Sequence, residues 1–359
     1  MPINNEPDDM SQGAGNTIDT VDDIDDDNRG NRAETEVSES TLESSSLDDH
    51  PYQVLTPDVV IDAVESTGRF SDACILALNS YENRVYQIGI EQELAVTKLK
   101  ASDSLDASPL VNNSVKPAPL IAKFYRPNRW SDEQIIEEHQ FTQQLFDLDI
   151  PVVPPLQFEQ HTLLNYGGYR FSIYPRCGGH APELDNGDHL EIIGRFIGRI
   201  HGVSRNQPFK HRPSVNIQNY AIDSRNFLLD NDFIPKDLIP AYETITRDII
   251  DHVETVFATT PYQTVGLHGD CHPGNILWRD DRAHFVDFDD ARNGPAIQDL
   301  WMLLSGDYSQ RSIQIADILE GYTDFCDFDP VELNLIEPLR AMRLLHYAAW
   351  LARRWEDLA

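Results

Sequence analysis

Apolar positions recur with two periods along this chain, and the change from one to the other divides it. Val59-Val60-Ile61-Asp62-Ala63-Val64 has the spacing of a short helix. Residues 73–99 read as strands, with turn signals at Asn79-Ser80 and Gly89. Residues 101–118 are polar and hold two prolines, which predicts a long hairpin loop or an insertion. Leu120-Ile121-Ala122-Lys123-Phe124-Tyr125 predicts a further strand, ended by Pro127.

Helical spacing starts at Ser131. Ser131 and Gln134 are separated as in a capping box, which satisfies two orphan amide donors at a helix start. Ile135, Phe141, Thr142 and Leu145 share one face, and Glu138 lies on it too. An inward carboxylate needs a partner, because burying a lone charge is costly. Strands are predicted around 152–158 and 169–174, then a hinge at Cys177-Gly178-Gly179. Helices dominate beyond it. One opens on a second capping box, Asp188 with Glu191, and stops at Gly202. Another covers 240–257, and a short one begins at Asp299. The last starts near Glu337 and runs through Leu339, Met342, Leu345 and Trp350. No repeat is visible. The outline is α+β: strands with one helix, a hinge, then a helical region.

Charge is unevenly spread. The 359 residues carry 60 Asp+Glu against 28 Lys+Arg, a net charge of −32. Residues 1–50 hold fifteen acidic residues, two arginines and no aromatic, and so −13 of that total. Such a stretch cannot bury enough apolar surface to offset its ordering entropy, which predicts a disordered acidic tail. It is a solvating extension or an arm for a basic partner. The acidic balance argues against nucleic acid and anionic membrane surfaces as partners. No apolar run reaches the ~18 residues of a membrane span, and no secretory signal is visible. Cys74, Cys177, Cys271 and Cys326 are far apart, with no Cys-x-x-Cys pair, which fits a reducing cytoplasm.

The densest chemistry is His268-Gly269-Asp270-Cys271-His272-Pro273-Gly274-Asn275-Ile276-Leu277-Trp278, after the apolar Val265 to Leu267. It leads into a hairpin with its turn at Arg279-Asp280-Asp281-Arg282 and a return strand reaching Asp287. One loop thus carries an Asp and an Asn, and a strand end delivers a second Asp. Phosphoryl transfer uses these parts: magnesium takes oxygen ligands, and a loop Asp accepts or orients the hydroxyl proton. A zinc reading of His268, Cys271 and His272 is weak, since Cys271 and His272 are adjacent and no second ligand cluster follows.

With these motifs the chain resembles the aminoglycoside phosphotransferase and choline kinase branch of the protein-kinase-like superfamily, and within it the bacterial Ser/Thr protein kinases of the stress response. The resemblance rests on Asn79-Ser80-Tyr81-Glu82-Asn83-Arg84-Val85-Tyr86-Gln87, Ala122-Lys123-Phe124-Tyr125-Arg126-Pro127, Glu137-Glu138-His139-Gln140-Phe141, the His268 loop, and Phe285-Val286-Asp287-Phe288-Asp289-Asp290. Asp299-Leu300-Trp301 and the 336–343 stretch extend it, so that it covers roughly 52–358.

The resemblance implies a two-lobed fold: a β-rich N-lobe with one helix at 51–176 and a helical C-lobe at 177–359. It implies Asp270 as catalytic base, Asn275 and Asp287 as magnesium ligands, and Lys123 on the ATP phosphates. Glu138 would fix Lys123, with Glu137 as the alternative one residue away. Ser80 would lie over the phosphates in place of a Gly-rich loop, and the 174–178 hinge would receive adenine. Asp299 would hold the catalytic loop, and His268 would brace it. The expected activity is transfer of the γ-phosphate of ATP to Ser/Thr hydroxyls of proteins, by a cytoplasmic monomer. Two alternatives stand beside it: a small-molecule phosphotransferase acting on an aminoglycoside or a choline-like alcohol, and an inactive ATP-binding module. The tail and the 101–118 insertion are extra to the pattern, and helices expected after Asp357 are missing from it. Eleven residues between Asp287 and Asp299 leave no room for a long activation loop that orders on phosphorylation.

Overall fold

The computed structural model describes residues 51–78, 80–91, 117–355 and 357. The acidic tail, Asn79 and all but the end of the 101–118 insertion lie outside the described residues.

Helix α1 (Pro57–Glu65) precedes a five-stranded antiparallel sheet built from β1 (Ser71–Leu78), β2 (Arg84–Ile90), β3 (Leu120–Phe124), β4 (Leu164–Tyr166) and β5 (Tyr169–Pro175), in the order β1-β2-β3-β5-β4. Alternation along β3 sends Ala122 and Phe124 to one face, where they join Ile88, Phe171, Ile173 and Val60 of α1 in a core. Lys123, between them in the strand, is turned to the opposite face. Its register neighbours are Val85 on β2 and Ser172 on β5. Helix α2 (Asp132–Asp147) follows β3 and starts with the expected capping box, Ser131 and Gln134 bonding each other's backbone N–H.

The second core belongs to the helical lobe. It gathers Ile193 and Ile197 of α3 (Gly187–Ser204), Val253 of α5 (Ile239–Thr259), Ile318 and Tyr322 of α7 (Tyr308–Tyr322), and Leu339 and Met342 of α8 (Ile336–Ala352). Phe141 and Leu145 of α2 join this core rather than the sheet's, while His139 of the same helix bonds Tyr125 and Thr162 on the sheet side. Between α5 and α7 run β6 (Thr264–Leu267), the hairpin β7 (Ile276–Arg279) and β8 (Arg282–Phe285), β9 (Arg292–Pro295), and the short α6 (Ile297–Trp301). Helix α4 (Asp223–Asp230) packs on α8. Helices α3 and α7 cross with backbones in contact: a Cβ at Gly194 would overlap the carbonyl of Ile318, and one at Gly321 the carbonyl of Glu191.

The α+β outline holds, with local corrections. Gly89 is no turn; it lies within β2, where the Asp72 carboxylate fills the space a side chain would need. Residues 152–158 form isolated bridges at Val152 and Phe158 instead of a strand. Pro151, Pro154 and Pro155 remove three ladder donors there. At α3 the cap is Asn186, whose side chain accepts from Asp188 N–H, while Glu191 pairs with Arg195 in place of a capping box. Gly202 does not stop α3. The helix runs on because Ser204 is buried and bonds both N–H and C=O of Gly266. The pattern also passed over α4 and α7, although α7 carries an Asp307–Gln310 capping box.

Candidate active site

Strand β6 delivers the His268 loop, and buried hydrogen bonds hold it. Asp299 of α6 accepts the backbone N–H of His268 at 2.7 Å and of Gly269 at 2.9 Å. Its Oδ2 also meets His201 Nε2 at 3.0 Å, and His201 Nδ1 lies 3.0 Å from the Tyr322 hydroxyl. Gly269 has φ +87°, and a Cβ there would overlap the Asp290 carbonyl, so only glycine fits. The Asp270 N–H reaches His268 Nδ1 at 3.4 Å, which leaves Nε2 protonated to donate to the Val286 carbonyl at 2.9 Å. Asp299 and His268 thus take the supporting positions expected of them.

Asp270, Asn275 and Asp287 are brought together by the backbone. The Asn275 amide donates to the Asp270 carbonyl at 2.9 Å, and among the described residues its Oδ1 has no donor. The Asn275 carbonyl accepts from Val286 N–H at 3.0 Å, beside the Ile276–Phe285 pair that opens the hairpin. Asp280 and Asp281 at the turn both have positive φ (52° and 55°), as a two-residue hairpin of this twist needs. Asp287 follows β8 in the left-handed region, φ 61°, with its side chain 53% exposed. Burial pushes the Asp270 carboxyl up. His272 and Arg343 outweigh that and hold it well below the usual carboxylate range. Arg343 Nη2 is 2.8 Å from Oδ1, and His272 Nε2 is 3.5 Å from Oδ2.

Lys123 arrives from the sheet. Its Nζ lies 2.8 Å from Asp287 and 3.2 Å from Asp289. Burial pulls its pKa down, but Asp287 and Asp289 carry it above the ordinary lysine value. Glu138 is buried beside this group without an ion pair to Lys123. Its nearest cation is Arg212 at 3.7 Å, and among the described residues neither Glu138 Oε2 nor Arg212 Nη2 has a hydrogen bond. Burial raises the Glu138 carboxyl to about 7, against the pull of Lys123 and Arg212. So the expectation that Glu138 fixes Lys123 directly is not met: in this structure Asp287 and Asp289 hold the ammonium. Glu137 points elsewhere and accepts the backbone N–H groups of Lys210, His211 and Arg212.

Ser80 stands apart. Its carbonyl accepts from Arg84 at 3.3 Å, and among the described residues no hydrogen bond joins it to the other five. The turn it begins is tied down at Glu82, which receives Arg354 Nη2 at 2.6 Å, Trp350 Nε1 at 2.8 Å and Arg129 Nε at 3.3 Å. Arg129 also pairs with Asp289, and with Asp290 at 2.9 Å. Arg129, Arg343, Arg354 and Glu82 were missed by the sequence reading. Their partners lie far along the chain, and no local spacing marks them.

Among the described residues no three His, Cys, Asp or Glu side chains enclose a metal on their own. The donors present are one half-exposed carboxylate and one amide oxygen. That set fits magnesium, which takes one or two protein oxygens and completes its shell with phosphate and water.

Residues 76–336 match the phosphotransferase enzyme family. "Stress response kinase A" of Escherichia coli (strain K12) is 44% identical over 308 residues, 86% of each chain. "Serine/threonine protein kinase RdoA" of Salmonella typhimurium is 43% identical over the same length and share. Among solved structures, an amicoumacin kinase, hAmiN, in complex with AMP-PNP, Ca2+ and Ami superposes with a TM-score of 0.62 at 17% identity, covering 83% of this chain and 88% of that one. A microcompartment-associated aminopropanol kinase reaches 0.59 at 15% identity, over 82% and 89%. These two share the two-lobed kinase-like fold.

Proposed function

The chain belongs to the phosphotransferase enzyme family, and from that premise we propose that it is a magnesium-dependent protein kinase moving the γ-phosphate of ATP to Ser/Thr hydroxyls in a stress response. The observation that carries the chemistry is the convergence of Asp270, Asn275 and Asp287 at one hairpin mouth, with Lys123 on Asp287. The protein acceptor is inferred from relatives named stress response kinase A and serine/threonine protein kinase RdoA. The same reading takes the enzyme as a cytoplasmic monomer with neither nucleic acid nor membrane as partner. No helix among the described residues is long and apolar enough to cross a membrane.

Asn275 Oδ1 and Asp287 would hold magnesium, which would neutralise phosphate charge and orient the transferring group. Lys123, released from Asp287 in part, would take the α/β-phosphates, with Asp289 and then Glu138 as its remaining counter-charges. The Ser80 turn would cover the phosphates, and the segment after β5 would receive adenine. Asp270 is ionised and accepts the acceptor's hydroxyl proton. As the acceptor oxygen forms its bond to Pγ, the bond from Pγ to the bridging oxygen breaks and its electron pair leaves with ADP. Positioning and electrostatics supply most of the acceleration.

The test is transfer of labelled γ-phosphate with magnesium, wild type beside Asp270→Ala, offered a protein substrate, aminoglycosides and choline. Labelled Ser/Thr, absent with the variant, is expected. Label only on a small molecule would replace the protein-kinase reading with the phosphotransferase one. ATP binding without any transfer would leave an inactive module.

A further inference from the structure

Arg343 meets the Asp270 carboxylate from the helical lobe, whereas Lys123 meets Asp287 and Asp289 from the sheet. It projects from α8, whose Leu339, Met342 and Leu345 are packed in the helical core, so the helix cannot withdraw and only the side chain can swing. Its Nη2 donates to Asp270 Oδ1 at 2.8 Å while the side chain stays 36% exposed. Among the described residues it has no other ion-pair partner. A guanidinium carries five donors in a fork, and among the described residues only Nη2 of this one has a hydrogen-bond partner.

The charge around the loop sharpens the point. Asp289 and Asp290 are matched by Arg129, with Arg292 also on Asp290, and Glu82 by Arg129 and Arg354. Lys123 is on Asp287 and Arg343 on Asp270. Each of these carboxylates is thus matched, and the permanent cation beside the base is Arg343, with the His272 ring 3.5 Å from the other carboxylate oxygen.

We propose that Arg343 selects the acceptor: it leaves Asp270 as the hydroxyl arrives and takes a carboxylate beside that hydroxyl, so that Ser/Thr with an acidic neighbour is preferred and cationic acceptors are disfavoured. The exchange keeps both partners satisfied. Arg343 gains a bidentate carboxylate, and Asp270 gains the hydroxyl as a donor in place of Nη2. A neutral acceptor strands the guanidinium without a counter-charge, and a cationic one adds like-charge repulsion. This rests on the kinase reading above and refines its substrate class.

The test compares kcat/KM on three peptides that differ only in an acidic, neutral or basic residue beside a single Ser. A hydroxy acid and an amino alcohol are run as small acceptors. Wild type, Arg343→Gln and Arg343→Lys are assayed after thermal melts establish that each is folded. Wild type is expected to favour the acidic peptide over the basic one about tenfold, ~1.4 kcal/mol. Arg343→Gln should level that ratio through KM, and Arg343→Lys should keep its direction. A wild-type preference for the basic peptide overturns the assignment. So does an Arg343→Gln enzyme slowed equally on all acceptors with its ratio intact, which is what a mere brace would give. If no peptide is labelled, the protein-substrate reading fails, and the hydroxy acid against the amino alcohol decides Arg343 on its own.

Discussion

The two sides of the cleft are held in different ways. On the catalytic side, the loop from His268 is fixed by hydrogen bonds to its own backbone: Asp299 on two buried N–H groups, and the partly buried bonds of Asn275 to the Asp270 carbonyl and His268 to Val286. On the nucleotide side, the turn from Ser80 is fixed by the long side chains of Arg354, Trp350 and Arg129 meeting at Glu82. A backbone-bonded loop has one geometry. A turn anchored by side chains can shift without breaking a backbone bond. Under the proposed function, chemistry would fall to the backbone-bonded half and nucleotide binding to the half held by side chains.

Substitutions can break or sharpen that contrast. The largest effect is expected at Asp270: Asp270→Asn should lower kcat by about 10²–10⁴ in steady-state phosphorylation, with ATP affinity retained. Next comes Asp299→Ala, which strands two buried N–H groups at about 1–3 kcal/mol each. A thermal melt should drop by several degrees and activity should go with it. An unchanged melt would mean the loop is not held as described. Glu82→Gln keeps an acceptor for Arg354 and Trp350 but removes their counter-charge, so it should lower the melt less than Asp299→Ala and raise KM for ATP about tenfold, the equivalent of ~1.4 kcal/mol. A fall in kcat alone would place the turn on the wrong side of the contrast.

The smallest effect is a pH slope at Glu138. Its carboxyl is raised from an ordinary 4.5 to about 7 by burial, so the folded state favours the neutral form. That stabilisation is present below about pH 4.5 and is lost as pH rises through about 7. Urea denaturation of wild type and Glu138→Gln between those values should show a steeper loss in wild type, and parallel curves would refute it.

This contrast also explains what could be read from the chain. Asp270, Asn275 and Asp287 lie within 17 residues and are joined by a loop and a hairpin, so their spacing carries their geometry. Lys123 and Glu138 were legible as charges at inward positions of an apolar strand and helix, because burial makes a charge conspicuous. The pairing expected between them is not formed, since Asp287 and Asp289 hold the same ammonium from the helical lobe, and nothing near Lys123 in sequence announces that competition. Glu82 and Arg354 are separated by 272 residues, and nothing in either neighbourhood names the other. Helix α7 was passed over because its inward face is thin: Gly321 and Gln314 take positions where a pattern reading looks for large apolar residues.

The crossing of α3 and α7 sets a dimension. Gly194, Gly198 and Gly321 let the two backbones touch, and one turn from that contact Tyr322 of α7 meets His201 of α3. His201 meets Asp299, and Asp299 meets the amides of His268 and Gly269. The spacing between two helices is therefore passed, through hydrogen bonds in series, to the loop that carries Asp270. A single methyl group at Gly198 would overlap the Tyr322 carbonyl and lengthen that spacing. The crossing works as a gauge block for the catalytic loop, and the smallest side chain in the repertoire sets its tolerance.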